Sequence, residues 1–194
     1  MNFSTLNKKN AQAFFDLYMQ RKDDVLKQFS ATVEAGGGPA QSVLDFSPES
    51  FIPLWAWLRK NLEYAETHPP LELLPPWYEP ENVNNPSWGR SFTIKTAHLL
   101  DGFAYYYGEV HIRNLEGLSW GIGSAKPITI ASYNPVVTGK YLIIYPLWMV
   151  FVAMGIAHRE SDERNCDESE YISYGYHVEE YERRKAQALA DGET

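Results

Sequence analysis

The chain has 194 residues, 44% of them hydrophobic and 22% charged, enough for one domain to bury a substantial core. Asp and Glu outnumber Lys and Arg by 25 to 17, giving a formal net charge of −8 with no basic cluster; this argues against a nucleic-acid surface and favours a basic protein partner. The single cysteine, Cys166, excludes an intrachain disulfide and a Cys-rich zinc site and points to a reducing, cytoplasmic setting.

The opening MNFSTLNKKN has no apolar run behind its charges and does not read as a secretory signal. From Asn7 to about Phe29, the residues Phe14, Leu17, Tyr18, Val25, Leu26 and Phe29 recur near helical spacing and predict an amphipathic helix. AGGGPA at 35–40 breaks it. In LDFSPES, Ser47 is placed to cap a second helix with Pro48 at its first position and Glu49 in its first turn. FIPLWAWLRKNLEYA continues that helix, with a distortion expected near Pro53.

From His68 to Pro86 six prolines impose an irregular loop, too apolar at Leu71, Leu73, Leu74 and Trp77 to float free of the domain. Of the six tryptophans, Trp77 is the one expected to face solvent. A long helix is predicted from about Trp88 to Asn114. Ala97, Ala104 and Gly108 give it a thin side for another helix, and Leu100, Phe103, Tyr107 and Val110 give it an apolar stripe.

Three short strands follow, at 118–122, 127–131 and 141–145, separated by Gly/Ser/Lys and Asn-Pro/Thr-Gly turns. The uncharged run from Tyr141 to Ala157 is shorter than the ~20 residues that span a bilayer. Pro146 divides it into a buried strand and a core helix, so no membrane span is expected. An acidic loop at 161–170 and a charged helix at about 175–189 close the chain. The whole reads as a single α+β domain over 1–194, mainly helical with a small three-stranded antiparallel sheet; the lack of strand–helix alternation argues against a doubly wound sheet.

Two stretches carry a family resemblance. LDFSPESFIPLWAWL has an aspartate, an aromatic residue and Ser-Pro-Glu-Ser at a helix start, and YYYGEVHIRNLEGLSWGIG has an aromatic-Gly-Glu helix followed by a Gly-x-x-Trp strand. In order and spacing they resemble a family of small bacterial proteins of unknown function, over roughly Leu44 to Gly155. The resemblance implies a compact intracellular α+β domain and brings no catalytic residues. By analogy only, such proteins look similar to immunity or accessory proteins of bacterial competition systems.

The densest polar chemistry lies on the long helix. His98, Asp101, Tyr105 and Glu109 follow one another at three- and four-residue steps, which stacks them along one line, and His111 and Arg113 lie just beyond. Such a stripe is either a proton-transfer or ligand site, or an internally satisfied polar seam in which Glu109 pairs with Arg113; the seam is the commoner outcome. Burial of Glu109 would raise its pKa unless Arg113 or tyrosine hydroxyls compensate, and a Glu109–Arg113 pair is expected to lock this helix to the first strand.

No His/Asp/Glu set completes a metal site and no cofactor is implied. GLSWGIG lacks the Lys-Ser/Thr of a phosphate loop, Cys166 sits among acids that raise a thiol's pKa, and no serine occupies a G-x-S-x-G elbow. Trp77, Tyr78, Glu79 and Glu81 form an aromatic and acidic patch of the kind found at protein interfaces, with Asp167 and Glu168 in a second acidic loop. The sequence therefore favours a non-enzymatic cytoplasmic interaction module, immunity-like, that binds a basic protein through these loops. The alternative is an enzyme or small-ligand binder built on the stripe.

Overall fold

The computed structural model describes residues 6–78, 91–124, 132–150 and 169–192. Helix α1 spans Lys8–Ala35, six residues beyond the periodic run, because nothing before Gly36 breaks it. Asn7 caps its N-terminus by accepting from the Asn10 amide at 2.9 Å, and Gly37 takes the positive φ that lets the chain turn away. Ser47 makes no side-chain cap. Instead a 3-10 turn at Pro48–Ser50 leads into helix α2, Phe51–Asn61. Pro53 is the third residue of α2, where its missing N–H is one the helix leaves unpaired anyway, so the expected distortion has no cause.

Strand β1 (Tyr64–Ala65) pairs antiparallel with β2 (Ser91–Phe92), a ribbon absent from the sequence expectation. That pairing moves the start of the long helix. Helix α3 begins at Ile94, with Thr93 as its N-cap accepting from the Thr96 amide, and ends at Asn114 as expected. Trp88 lies outside the described residues.

Strand β3 (Ser119–Ile122), β4 (Pro135–Thr138) and β5 (Ile143–Ile144) form the expected three-stranded antiparallel sheet, in the order β3-β4-β5. The central strand is the correction. Pro135–Thr138 falls in the stretch assigned to a turn, yet Val136 and Val137 are fully buried and pair with Gly121 and Trp120. Two β-branched residues between turn formers are enough for a strand when both neighbouring edges are available. The expected strand at 127–131 lies outside the described residues. Residues 146–150 are helical, as the Pro146 reading required, and helix α4 spans Ser169–Ala190. Among the described residues no helix is long and apolar enough to cross a membrane.

The protein is thus an α+β fold in which helices dominate and α3 is the central post. Every residue of α3 from Thr96 to His111 is buried except His98. Phe51, Leu54, Trp55 and Leu58 of α2 pack on one side, with Trp55 stacked on Phe103 at 5.8 Å, and each such side chain contributes about 1.5–3 kcal/mol by leaving water. The thin side of α3 takes helix α1 closely at Gly102, as expected, and at Gly108 it takes the Trp120 ring. A Cβ on Gly102 would lie 2.5 Å from Phe29 of α1, and one on Gly108 would lie 2.3 Å from the Trp120 ring.

Candidate functional site

Because α3 is enclosed, its ionisable groups must find partners inside the protein, and they find them on α1. Asp101, with no exposed surface, accepts from Arg21 Nη2 at 3.0 Å and from the Trp77 indole N–H at 2.6 Å. Burial pushes its carboxyl above the usual range, while the Trp77 hydrogen bond and the Arg21 charge pull it part of the way back. About two turns along, Glu109 accepts from Lys22 Nζ at 2.8 Å and from Trp120 Nε1 at 2.9 Å. Burial again acts upward. Here the Lys22 and Trp120 hydrogen bonds and the Lys22 and Arg113 charges outweigh it, and the carboxyl titrates below its ordinary value.

The expected Glu109–Arg113 pair exists at 3.5 Å, but Arg113 is half exposed and its guanidinium lies 3.7 Å from the centre of the Phe46 ring. The lock between α3 and the first strand of the sheet is the Trp120 indole, a partner of Glu109 that no local spacing indicates.

The other members of the stripe diverge. His98 is exposed and meets the Leu73 carbonyl at 2.9 Å. Tyr105 donates to the Tyr18 carbonyl at 2.6 Å and stacks on the Tyr18 ring at 4.1 Å; burial raises its pKa strongly. Beside this cluster the buried Tyr18 hydroxyl and Arg21 Nη1 have no hydrogen-bond partner among the described residues. His111 is fully buried on another side of α3, against α4. The six residues therefore do not converge on one accessible cavity. Three of them, Asp101, Tyr105 and Glu109, tie α1 to α3, and the rest serve separate contacts. Among the described residues no group of three metal-ligating side chains occurs.

The aromatic half of the proposed interaction patch is also inside. Trp77 is 3% and Tyr78 5% exposed, because the Trp77 N–H reaches Asp101 and the Tyr78 hydroxyl accepts the Phe92 amide at 3.1 Å. Trp148, at 44%, is the exposed tryptophan among those described, and Leu71 and Leu73, expected to hold the proline loop down, are exposed. Glu79, Glu81, Asp167, Glu168 and Cys166 lie outside the described residues.

The two motif stretches meet face to face. Tyr106 of α3 bonds Ser50 Oγ at 2.5 Å and accepts the Phe46 amide at 3.2 Å, while Asn114 donates to the Phe46 carbonyl at 2.8 Å. These contacts, with Arg113 above the ring, hold Phe46 at φ 63°, a left-handed conformation that a phenylalanine adopts only when its surroundings dictate it. The Asp-aromatic-Ser-Pro-Glu-Ser motif is thus an interlock with α3.

Two contacts carry chemistry that no local pattern announced. His68 Nδ1 is hydrogen-bonded to the Ser91 hydroxyl, on a serine that is itself buried. His111 and His177 meet ring to ring, with Nε2 of the first 3.0 Å from Nδ1 of the second. Neither pair lies within a short sequence motif; both depend on tertiary pairing. Comparisons of the chain with protein-family models, with curated proteins and with solved structures each find no match.

Proposed function

We propose that the chain is a non-enzymatic protein-interaction module, cytoplasmic and immunity-like in role, whose acidic exterior takes up a basic protein partner. The observation that carries this reading is the fate of the α3 acids. Asp101 and Glu109 are spent on Arg21 and Lys22, so the groups best placed for chemistry hold helices together. Those two pairs cancel, two acids against two cations, and the net charge of −8 is carried by the remaining side chains. A surplus of that size steers encounter with a basic surface and makes association salt-sensitive.

The contact residues of the proposal are Glu79, Glu81, Asp167 and Glu168. Trp77 and Tyr78, being buried, belong to the core and are not contact residues. The test begins with capture of the tagged chain's partner from a lysate of its host at low salt and release at high salt. Titration calorimetry on the purified pair then follows the joint charge reversal of the four acids. The expected result is a basic partner and a loss of at least about tenfold in affinity. Recovery of no partner overturns the interaction reading, and unchanged affinity after reversal overturns the role of the loops.

A further inference from the structure

Helix α4 is held to the central post through two imidazoles whose proton positions are fixed by their neighbours. His111 Nδ1 lies 2.8 Å from the Tyr107 carbonyl, which can only accept, so Nδ1 carries the proton and Nε2 presents a lone pair. The group facing that lone pair at 3.0 Å is His177 Nδ1, which must therefore donate. The Tyr107 hydroxyl, 3.4 Å from the same His177 nitrogen, accepts weakly from it and is hydrogen-bonded to Ser173 Oγ at 3.2 Å.

Phe51 from α2 and Tyr174 from α4 pack on the His111 ring at 6.5 and 4.9 Å. Facing the pair are Tyr107 from α3, Ser173 and Tyr174 from α4, and apolar Phe51 from α2; among the described residues no carboxylate pairs with either ring.

We propose that this pair is a pH-sensitive latch, in which protonation of His111 and His177 releases α4 from the face formed by Phe51, Tyr107 and His111. The proton count supplies the mechanism. Among the described residues nothing engages the remaining lone pair of the closed pair, on His177 Nε2, and a proton taken there leaves the hydrogen bond intact. A second proton must go to His111 Nε2, where it points at the N–H of His177, so the doubly protonated pair cannot stay closed. Released, each ring is solvated and takes a proton near pH 6.5.

Burial holds His111 down at about 3 in the closed state and also lowers His177. With the folded pKa depressed, the closed state is favoured above the solvated value and loses ground as pH falls below about 6.5. From pH 7.5 to pH 5 the His111 ring alone increases the ratio of open to closed α4 by about 30-fold, and His177 adds to this.

Native-state hydrogen exchange on the full chain tests the latch. After correction for intrinsic rates, protection of amides in 173–190 is expected to fall at least about 30-fold between pH 7.5 and pH 5, while amides of 11–33 in α1 change far less. The double variant His111→Gln, His177→Asn, which supplies an acceptor and a donor of similar reach without titrating, is expected to flatten that dependence. Protection of α4 that is the same at both pH values in the unmodified protein, or that falls in step with α1, overturns the proposal whatever the variant does. A fall that persists undiminished in a folded double variant overturns it as well.

Discussion

The indole N–H of Trp120 donates to the Glu109 carboxylate across 2.9 Å, and the same oxygen receives Lys22 Nζ at 2.8 Å. One carboxylate oxygen therefore joins α1, α3 and the first strand of the sheet. The position of the indole depends on Gly108, whose missing side chain leaves room for the ring. Replacing Trp120 by Phe keeps most of the ring packing and removes the donor. We expect a loss of about 1–2 kcal/mol in unfolding free energy, read from denaturant midpoints. A midpoint unchanged from the parent contradicts the tie.

The Glu109 carboxyl is held below its ordinary value by the Lys22 and Trp120 hydrogen bonds and the Lys22 and Arg113 charges, against the upward pull of burial. Its contribution is therefore fully present above the unfolded carboxylate value, about 4.3, and is lost as pH falls through the lower folded value. The stability difference between the parent and Glu109→Gln should be constant from pH 7 to about pH 5 and should shrink toward zero in more acid solution. Asp101, raised by burial, has the opposite sign and is common to both proteins, so it cancels in the difference. A difference that grows on acidification contradicts this assignment.

Two glycines in helices should respond in opposite directions to alanine. At Gly108 a Cβ meets the Trp120 ring at 2.3 Å, so overpacking of about 1–3 kcal/mol outweighs the gain in helix propensity. At Gly175 of α4 nothing among the described residues lies within 4 Å of the added carbon, and the substitution should stabilise by up to about 1 kcal/mol. Thermal midpoints of the two variants decide it; equal shifts in one direction contradict the packing described.

Trp77 and Trp148 exchange the roles that composition suggests. Trp148→Phe should reduce the acrylamide-quenchable part of the fluorescence, whereas Trp77→Phe should leave it in place and cost about 1–2 kcal/mol by stranding Asp101 without its indole donor. Loss of the quenchable component in Trp77→Phe contradicts the burial of that side chain.

The helices were legible where apolar residues recur at helical spacing, as from Phe14 to Phe29 in α1 and along Leu100, Phe103, Tyr107 and Val110 of α3. Pairing across long separations was not. Asp101 and Glu109 stand out by spacing, but their partners are 80 and 87 residues away in sequence, and nothing local marks Arg21 and Lys22 as inward-facing. Trp77 sits among prolines that predict exposure, and a single tertiary hydrogen bond reverses the outcome. Val136 and Val137 were hidden between turn formers because strand propensity is weak unless a neighbouring strand is known. Ser47 has the right type for a cap, but the chain tightens into a 3-10 turn in which Ser50 Oγ bonds the Ser47 carbonyl.

A double-mutant cycle on Lys22→Met and Glu109→Gln measures directly whether the α3 acids are structural ties or a solvent-facing site. Burial of the carboxylate and the 2.8 Å contact predict a coupling of about 1.5 kcal/mol or more between the two positions in unfolding free energy. A coupling within about 0.3 kcal/mol of zero would show the two side chains to be independent, and would return Glu109 to the pool of residues available for binding or catalysis.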